Sequence, residues 1–204
     1  LFHGAEMLGE PVADVELATP GVVSGKKGEV SFGDIAHKGE TGTGFGSLVG
    51  TGSYITPDFA FPYGANFAEV AVNTRTGEIR LDTFYALLDC GTPELALGQI
   101  YGATLRAIGH SMSEEIIYDA EGHPLTRDLR SYGAPKIGDI PRDFRAVLVP
   151  SDDKVGPFGA KSISEIGVNG AAPAIATAIH DACGIWLREW HFTPEKILTA
   201  LEKI

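Results

Sequence analysis

The residue best placed to do chemistry is Glu165. It closes Phe158-Gly159-Ala160-Lys161-Ser162-Ile163-Ser164-Glu165, a run of mostly small residues shortly before an apolar stretch, Ala171 to Cys183. Without side-chain bulk, such a loop lets its backbone come close to another group. A single carboxylate there fits two roles: a base that accepts a proton, or a negative charge resting ahead of a helix N-terminus. The residues themselves leave both open. Other groupings carry less. His180 and Cys183 are three apart, with no second ligand pair to complete a zinc site. His180-Asp181 has no serine in a strand-to-helix turn with which to form a triad. Gly39, Gly42, Gly44 and Gly46 suggest a phosphate cradle, but no Gly-Lys-Ser/Thr occurs and no helical pattern follows. A glycine-rich loop feeding a strand is expected there.

Two helices must position these groups. After Glu165, Ala172, Ile175, Ile179 and Ala182 recur at helical spacing, and Gly184 is the stop. The second helix is expected from Thr92 as cap and Pro93 as first turn to about Met112, with Leu97, Ile100, Thr104 and Ile108 as its core stripe. Gln99, Ala103 and Arg106 lie on the other face, flanked by Gly98 and Gly102. A third, final helix is capped by Thr193 with Pro194 behind it, and is buried through Ile197, Leu198 and Leu201.

Strands are expected at Val12–Leu17, within Val22–Phe32, at Glu114–Tyr118 and at Phe144–Val149. Asn66–Val72 and Glu78–Leu88, around Asn73-Thr74-Arg75-Thr76-Gly77, predict a long hairpin. Ser31 to Ala36 predicts a helical turn, and His123 to Asp143 an irregular stretch. Together these predict one α+β domain over residues 1–204: a sheet covered by two main helices, in two layers.

Composition bounds the function. The 204 residues carry a net charge of −11, which opposes phosphate, so nucleic acid is not an expected partner. No apolar run approaches the roughly 20 residues of a membrane span. Leu1 to Glu10 lacks a basic n-region and reads instead as the end of an amphipathic helix, so no signal peptide is expected and the chain is expected to begin inside a longer polypeptide. Cys90 and Cys183 are isolated, which fits a reducing compartment and makes the cytoplasm the expected location.

Three segments, taken in order, resemble the molybdenum-binding subunit of the xanthine dehydrogenase/aldehyde oxidase family of molybdenum hydroxylases. Asp89-Cys90-Gly91 with Leu97-Gly98-Gln99-Ile100-Tyr101-Gly102-Ala103 is similar to the family's D-x-G before G-Q-x-x-G-[AG]. Glu114-Glu115-Ile116-Ile117-Tyr118, Glu121-Gly122, Thr126-Arg127, Ser131-Tyr132 and Ile140-Pro141 follow its E-E-x-x-Y, T-R and I-P stretch. Gly159-Ala160-Lys161-Ser162-Ile163-Ser164-Glu165 resembles G-[AS]-K-[GA]-[VI]-G-E. The hairpin, through Glu69-Val70 and Thr76-Gly77, also fits. The sequence departs from the pattern at Ser164, at Ile166-Gly167 where Pro-Pro or Pro-x is usual, at Arg106 and at Gly133.

The resemblance implies the C-terminal, α+β part of that subunit. It implies hydroxylation of an electron-poor carbon with oxygen from water, a molybdenum held by molybdopterin activating that water and a glutamate taking its proton. Glu165 occupies the glutamate's position. Gln99 matches a cofactor-contacting glutamine, and Ser162, Ile163 and Ser164 match backbone passing close to the metal centre; no residue of the chain is expected to ligate the metal. The implied partners are the rest of the molybdenum subunit and the domains or subunits carrying 2Fe–2S and FAD. A purine hydroxylase of the xanthine dehydrogenase type is expected, with an aldehyde oxidoreductase and a non-catalytic assembly domain as the alternatives.

Overall fold

The structure is a computed structural model that describes all residues except 19, 42–44, 54, 56, 57, 92–95, 152, 203 and 204, and the backbone alone of Phe158. The chain divides into two compact units, Leu1–Ile55 and Thr56–Ile204.

In the first unit, helix α1 (Phe2–Leu8) ends on Gly9 in the left-handed conformation, as its helical start predicts. Strands β1 (Glu16–Leu17), β2 (Val22–Gly25) and β3 (Gly28–Ser31) form an antiparallel sheet in that order. Val12–Asp14 is a 3-10 turn rather than the start of a strand. Helix α2 (Phe32–Glu40) is capped by Ser31, whose hydroxyl accepts from the Asp34 amide at 3.0 Å. Ala5, Val15, Val23, Val30 and Ile35 make the core. The glycine-rich stretch differs from expectation. Gly39 belongs to α2, and among the described residues no strand begins between it and Tyr63; Gly42 and Gly44 lie outside the described residues.

The second unit is built on the hairpin of β4 (Tyr63–Val72) and β5 (Ile79–Asp89). Their register slips between Glu69 and Val70, where Asp82 of β5 has no opposite residue. This bulge explains a change of phase in the sequence. Ile79 and Leu81 pack toward the core from odd positions, whereas Phe84, Ala86 and Leu88 do so from even ones. Helix α3 (Ala96–Met112) follows, its predicted start at Thr92 and Pro93 lying outside the described residues. Its buried positions are Ala96, Ile100, Thr104, Ala107, Ile108, Gly109 and Ser111. Leu97 is 43% exposed, so the stripe sits one residue earlier than predicted at that end.

Glu114–Tyr118 is not a strand. Ile116, Ile117 and Tyr118 are about half exposed, and only an isolated bridge joins Tyr118 to Pro124. A short α4 (Leu129–Tyr132) lies within the irregular stretch. Strand β6 (Asp143–Leu148) then returns parallel to β5, giving the order β4-β5-β6. The turn α5 (Ile166–Asn169) and helix α6 (Ala171–Cys183) come next. Ala171, Ile175 and Ile179 are buried in α6, and Ala182 is not. Helix α7 (Pro194–Ala200) is capped by Thr193, and Ile197 is fully buried.

One core cluster joins β5, α3, α6 and α7 through Phe84, Leu88, Ile100, Ile175, Ile179 and Ile197. The class is therefore α+β, two main helices packed with a three-stranded sheet. No helix among the described residues is long and apolar enough to cross a membrane.

Candidate active site

Glu165 stands at the end of a loop that is held from beneath. Strand β5 ends at Asp89, whose carboxylate accepts from Ser151 Oγ at 2.5 Å, from Lys161 Nζ at 2.9 Å and from the Gly91 amide at 3.2 Å. Lys161 also approaches Asp153 at 3.9 Å and lies over the Tyr63 ring, 5.8 Å from its centre. The Lys161 and Asp89 side chains are only 7% and 14% exposed. The Ser151 hydroxyl and then the Lys161 ammonium hold the Asp89 carboxyl below the ordinary range, and Asp89 in turn raises Lys161. Asp153 is held down by the Gly156 and Val155 amides, which it accepts at 2.9 and 2.8 Å.

The backbone adds two further restraints. Lys161 N donates to Cys90 O at 2.9 Å. Gly91, at φ +79°, comes so close to the loop that a Cβ there would lie 1.8 Å from the Gly159 carbonyl oxygen. Only glycine fits, for both reasons.

Beyond the anchor, Ile163 turns its side chain into the core cluster, leaving only its backbone for another role, while Ser162 and Ser164 are exposed. The Glu165 carbonyl accepts from Val168 and Asn169 at 2.8 and 3.0 Å, starting α5, but its exposed carboxylate caps nothing there. So the backbone of Glu165 is fixed and its acid is uncommitted. Ile166-Gly167, the departure from the expected proline, forms the first turn of α5. Gly167 is buried, a Cβ on it would meet Ala103 Cβ at 2.9 Å, and its carbonyl accepts from the buried Thr104 hydroxyl at 3.1 Å.

Ser162 and Glu165 share a cavity of about 390 Å³ with Gly64, Asn66, Ile166 and Gly170. Gln99 is exposed on α3, one turn before Ala103, and does not line that cavity; Ile163 and Ser164 do not either. Sequence reasoning assigned no role to Asp89 and Lys161, although both lie inside the motifs quoted above. It gave no site role to Ser151, Asp153 or Asn66 either. His180 stacks on Trp186 at 4.2 Å, and Cys183 Sγ donates to Ile179 O at 3.2 Å.

The fit to a large cofactor is consistent. An uncommitted acid, Glu165, and the exposed hydroxyl of Ser162 line one opening together with Asn66, whose Oδ1 is buried without a partner. No group of three His, Cys, Asp or Glu able to hold a metal occurs among the described residues. Such a surface leaves any metal ligands to the group that would occupy it.

Residues 2–141 match a molybdopterin cofactor-binding domain; the match ends before the Glu165 loop. The chain is 97% identical over 207 aligned positions to "Probable hypoxanthine oxidase XdhD" of Escherichia coli K12, an alignment covering all of this chain and 22% of that protein. It is 32% identical to "Aldehyde oxidoreductase molybdenum-binding subunit PaoC" of the same organism, over 70% of this chain and 20% of that one. Quinoline 2-oxidoreductase from Pseudomonas putida 86 superposes with a TM-score of 0.77 at 27% identity, over 98% of this chain and 27% of that chain. The chain thus spans about a fifth to a quarter of each of these proteins.

Proposed function

The chain belongs to the molybdopterin cofactor-binding domain family, among the molybdenum subunits of the xanthine dehydrogenase/aldehyde oxidase enzymes, and on that premise we propose that residues 1–204 are the C-terminal part of a molybdenum hydroxylase oxidising a purine or related N-heterocycle with oxygen from water. In this reading Glu165 is the general base. The observation that carries it is the contrast at one residue: a backbone fixed by α5 and by the Asp89–Lys161 anchor, and a carboxylate with no structural duty opening on a cavity.

Molybdopterin, when bound, supplies a redox-active metal that activates water and takes up the electrons removed from substrate. This chain's part is to accept and orient. Glu165 Oε takes the proton of the attacking oxygen, which requires a carboxylate within hydrogen-bond reach and no bulk around it. Gln99, Ser162 and Ser164, with the backbone of Ile163, contact the cofactor. The rest of the molybdenum subunit and the carriers of 2Fe–2S and FAD complete the electron path, in the cytoplasm. The relative named "Probable hypoxanthine oxidase XdhD" supports a purine substrate. The one named aldehyde oxidoreductase supports the second reading, an aldehyde.

Glu165→Gln and Glu165→Ala in the complete enzyme are expected to lower turnover by about 10²–10⁴-fold, with molybdenum content unchanged. Undiminished turnover would overturn the assignment. Wild-type turnover of hypoxanthine against aromatic aldehydes decides between the two substrate classes.

A further inference from the structure

Strand β4 stands at one end of the sheet order β4-β5-β6, so along its outer side it has no strand partner among the described residues. An edge of this kind is a template for another strand, and proteins guard it with lysine, proline, inward-pointing charge or a bulge. Most of β4 lacks these guards. Of its ten residues none is lysine or proline, and the one charge, Glu69, accepts from the Thr83 hydroxyl at 2.9 Å. The bulge lies beyond Glu69, which leaves residues 63–68 regularly paired with β5 on one side and open on the other. Tyr63 and Phe67 are 65% and 57% exposed. The open side is also a groove. A cavity of about 450 Å³ runs between β4 and α6, walled by Gly64, Asn66 and Ala68 on one side and by Ala174, Thr177 and Ala178 on the other. None of its lining residues comes from β5, which puts it on the edge side of β4. Gly64, Asn66 and Gly170 line the Glu165 cavity as well, so the two spaces adjoin at the start of the strand.

We infer that an extended segment of the remaining molybdenum subunit lies in this groove as a further strand beside β4 and leads into the Glu165 cavity. The inference rests on the reading of residues 1–204 as part of that longer subunit. Main-chain hydrogen bonds hold such a strand, and its alternate side chains select it. Those turned toward α6 meet Ala174, Thr177 and Ala178, so they are apolar and of middling size. The others lie on the opposite face of the sheet, beside Phe67, which pairs with Tyr85. The alignment with "Probable hypoxanthine oxidase XdhD" covers 22% of that protein, so most of its polypeptide lies outside the matched region and is available for the role. A segment of the same polypeptide also outcompetes a second copy, because tethering gives it an effective concentration of about millimolar.

The test is hydrogen exchange of the complete enzyme, resolved to single amides by fragmentation mass spectrometry. In an uncovered edge strand, amides that point away from β5 exchange freely and alternate with protected ones. All amides of residues 64–68 are expected instead to exchange at least about tenfold more slowly than exposed amides of the same chain. Ala178→Arg, which fills the groove from α6, should bring back the alternating pattern in β4 and leave β5 protected. The photo-crosslinker p-benzoylphenylalanine in place of Phe67 identifies the occupant, and its link is expected in the molybdenum subunit outside residues 1–204. An alternating pattern in the wild type overturns the inference. So does unchanged β4 protection in Ala178→Arg, or a link to a second copy or to a carrier of 2Fe–2S or FAD. A complete enzyme with no molybdenum-subunit chain beyond these residues overturns the proposed function instead. None of these readouts uses turnover, so the Glu165→Gln result bears on the general base alone.

Discussion

At the scale of single residues, the site depends on a lysine that never touches its cavity. Lys161 is nearly buried against Asp89, and removing its ammonium leaves that carboxylate with only the Ser151 hydroxyl and the Gly91 amide. Lys161→Met is expected to loosen residues 156–165 and lower turnover by about tenfold or more, since small misplacement of a reacting group is costly. Hydrogen exchange of those amides in the complete enzyme checks this; unchanged protection would remove the anchor from the account. The pH dependence follows from the two shifts. Asp89 lies below its ordinary 3.8, so its contribution is complete above that value and is lost as pH falls through the lower folded value. Lys161 lies above its ordinary 10.5, so its contribution is complete below that value and is lost as pH rises through the higher one. The difference in thermal midpoint between wild type and Lys161→Met should be flat between these limits and shrink beyond both. Glu165 stood out from its setting in a small-residue loop, but that setting left its role open, and the proposed base role comes from the family resemblance. The anchor was not, because its partners are 72 residues apart and nothing local in either segment announces the other.

At the scale of elements, the placement of Glu165 passes through the contact of α5 with α3. Gly167→Ala puts a Cβ 2.9 Å from that of Ala103, and neither methyl can rotate away, so the two helices must separate slightly. Turnover of the complete enzyme is expected to fall about tenfold with its fold intact by circular dichroism, and Ala103→Gly in the same chain should restore it. Full activity in Gly167→Ala would show that this contact does not set the position of Glu165. The elements themselves were unevenly legible. The β4–β5 hairpin was, because alternation and turn chemistry agree there. Glu114–Tyr118 has strand composition but, apart from the single Tyr118–Pro124 bridge, no strand among the described residues to pair with, and Ile116, Ile117 and Tyr118 are about half exposed. That β6 joins β5 in parallel was invisible, since parallel pairing depends on a crossover and not on a turn. The stripes of α3 and α6 were each displaced by a residue at one end, where a small alanine, Ala96 or Ala171, takes the buried place given to Leu97 or Ala172.

At the scale of the molecule, the proposed function makes the chain one wall of a site that the rest of the subunit completes. It spans 22% of the relative named "Probable hypoxanthine oxidase XdhD" and, among the described residues, has no cluster able to hold a metal. Residues 1–204 produced alone are expected to retain no molybdenum and to turn over neither purines nor aldehydes, with both regained on co-expression with the remainder of the subunit; turnover by the isolated chain would contradict this. The long reach of the anchor has a consequence in time as well as in space. Lys161 and Ser151 meet Asp89 across 72 and 62 residues, with the β5–β6 pairing between them. Contacts so distant along the chain form only after loop-closure entropy has been overcome, and they delay folding. On a ribosome the hairpin emerges well before the segment that docks onto it. By that argument the Glu165 loop is expected to dock after the β4–β5 hairpin, whose own contacts are local.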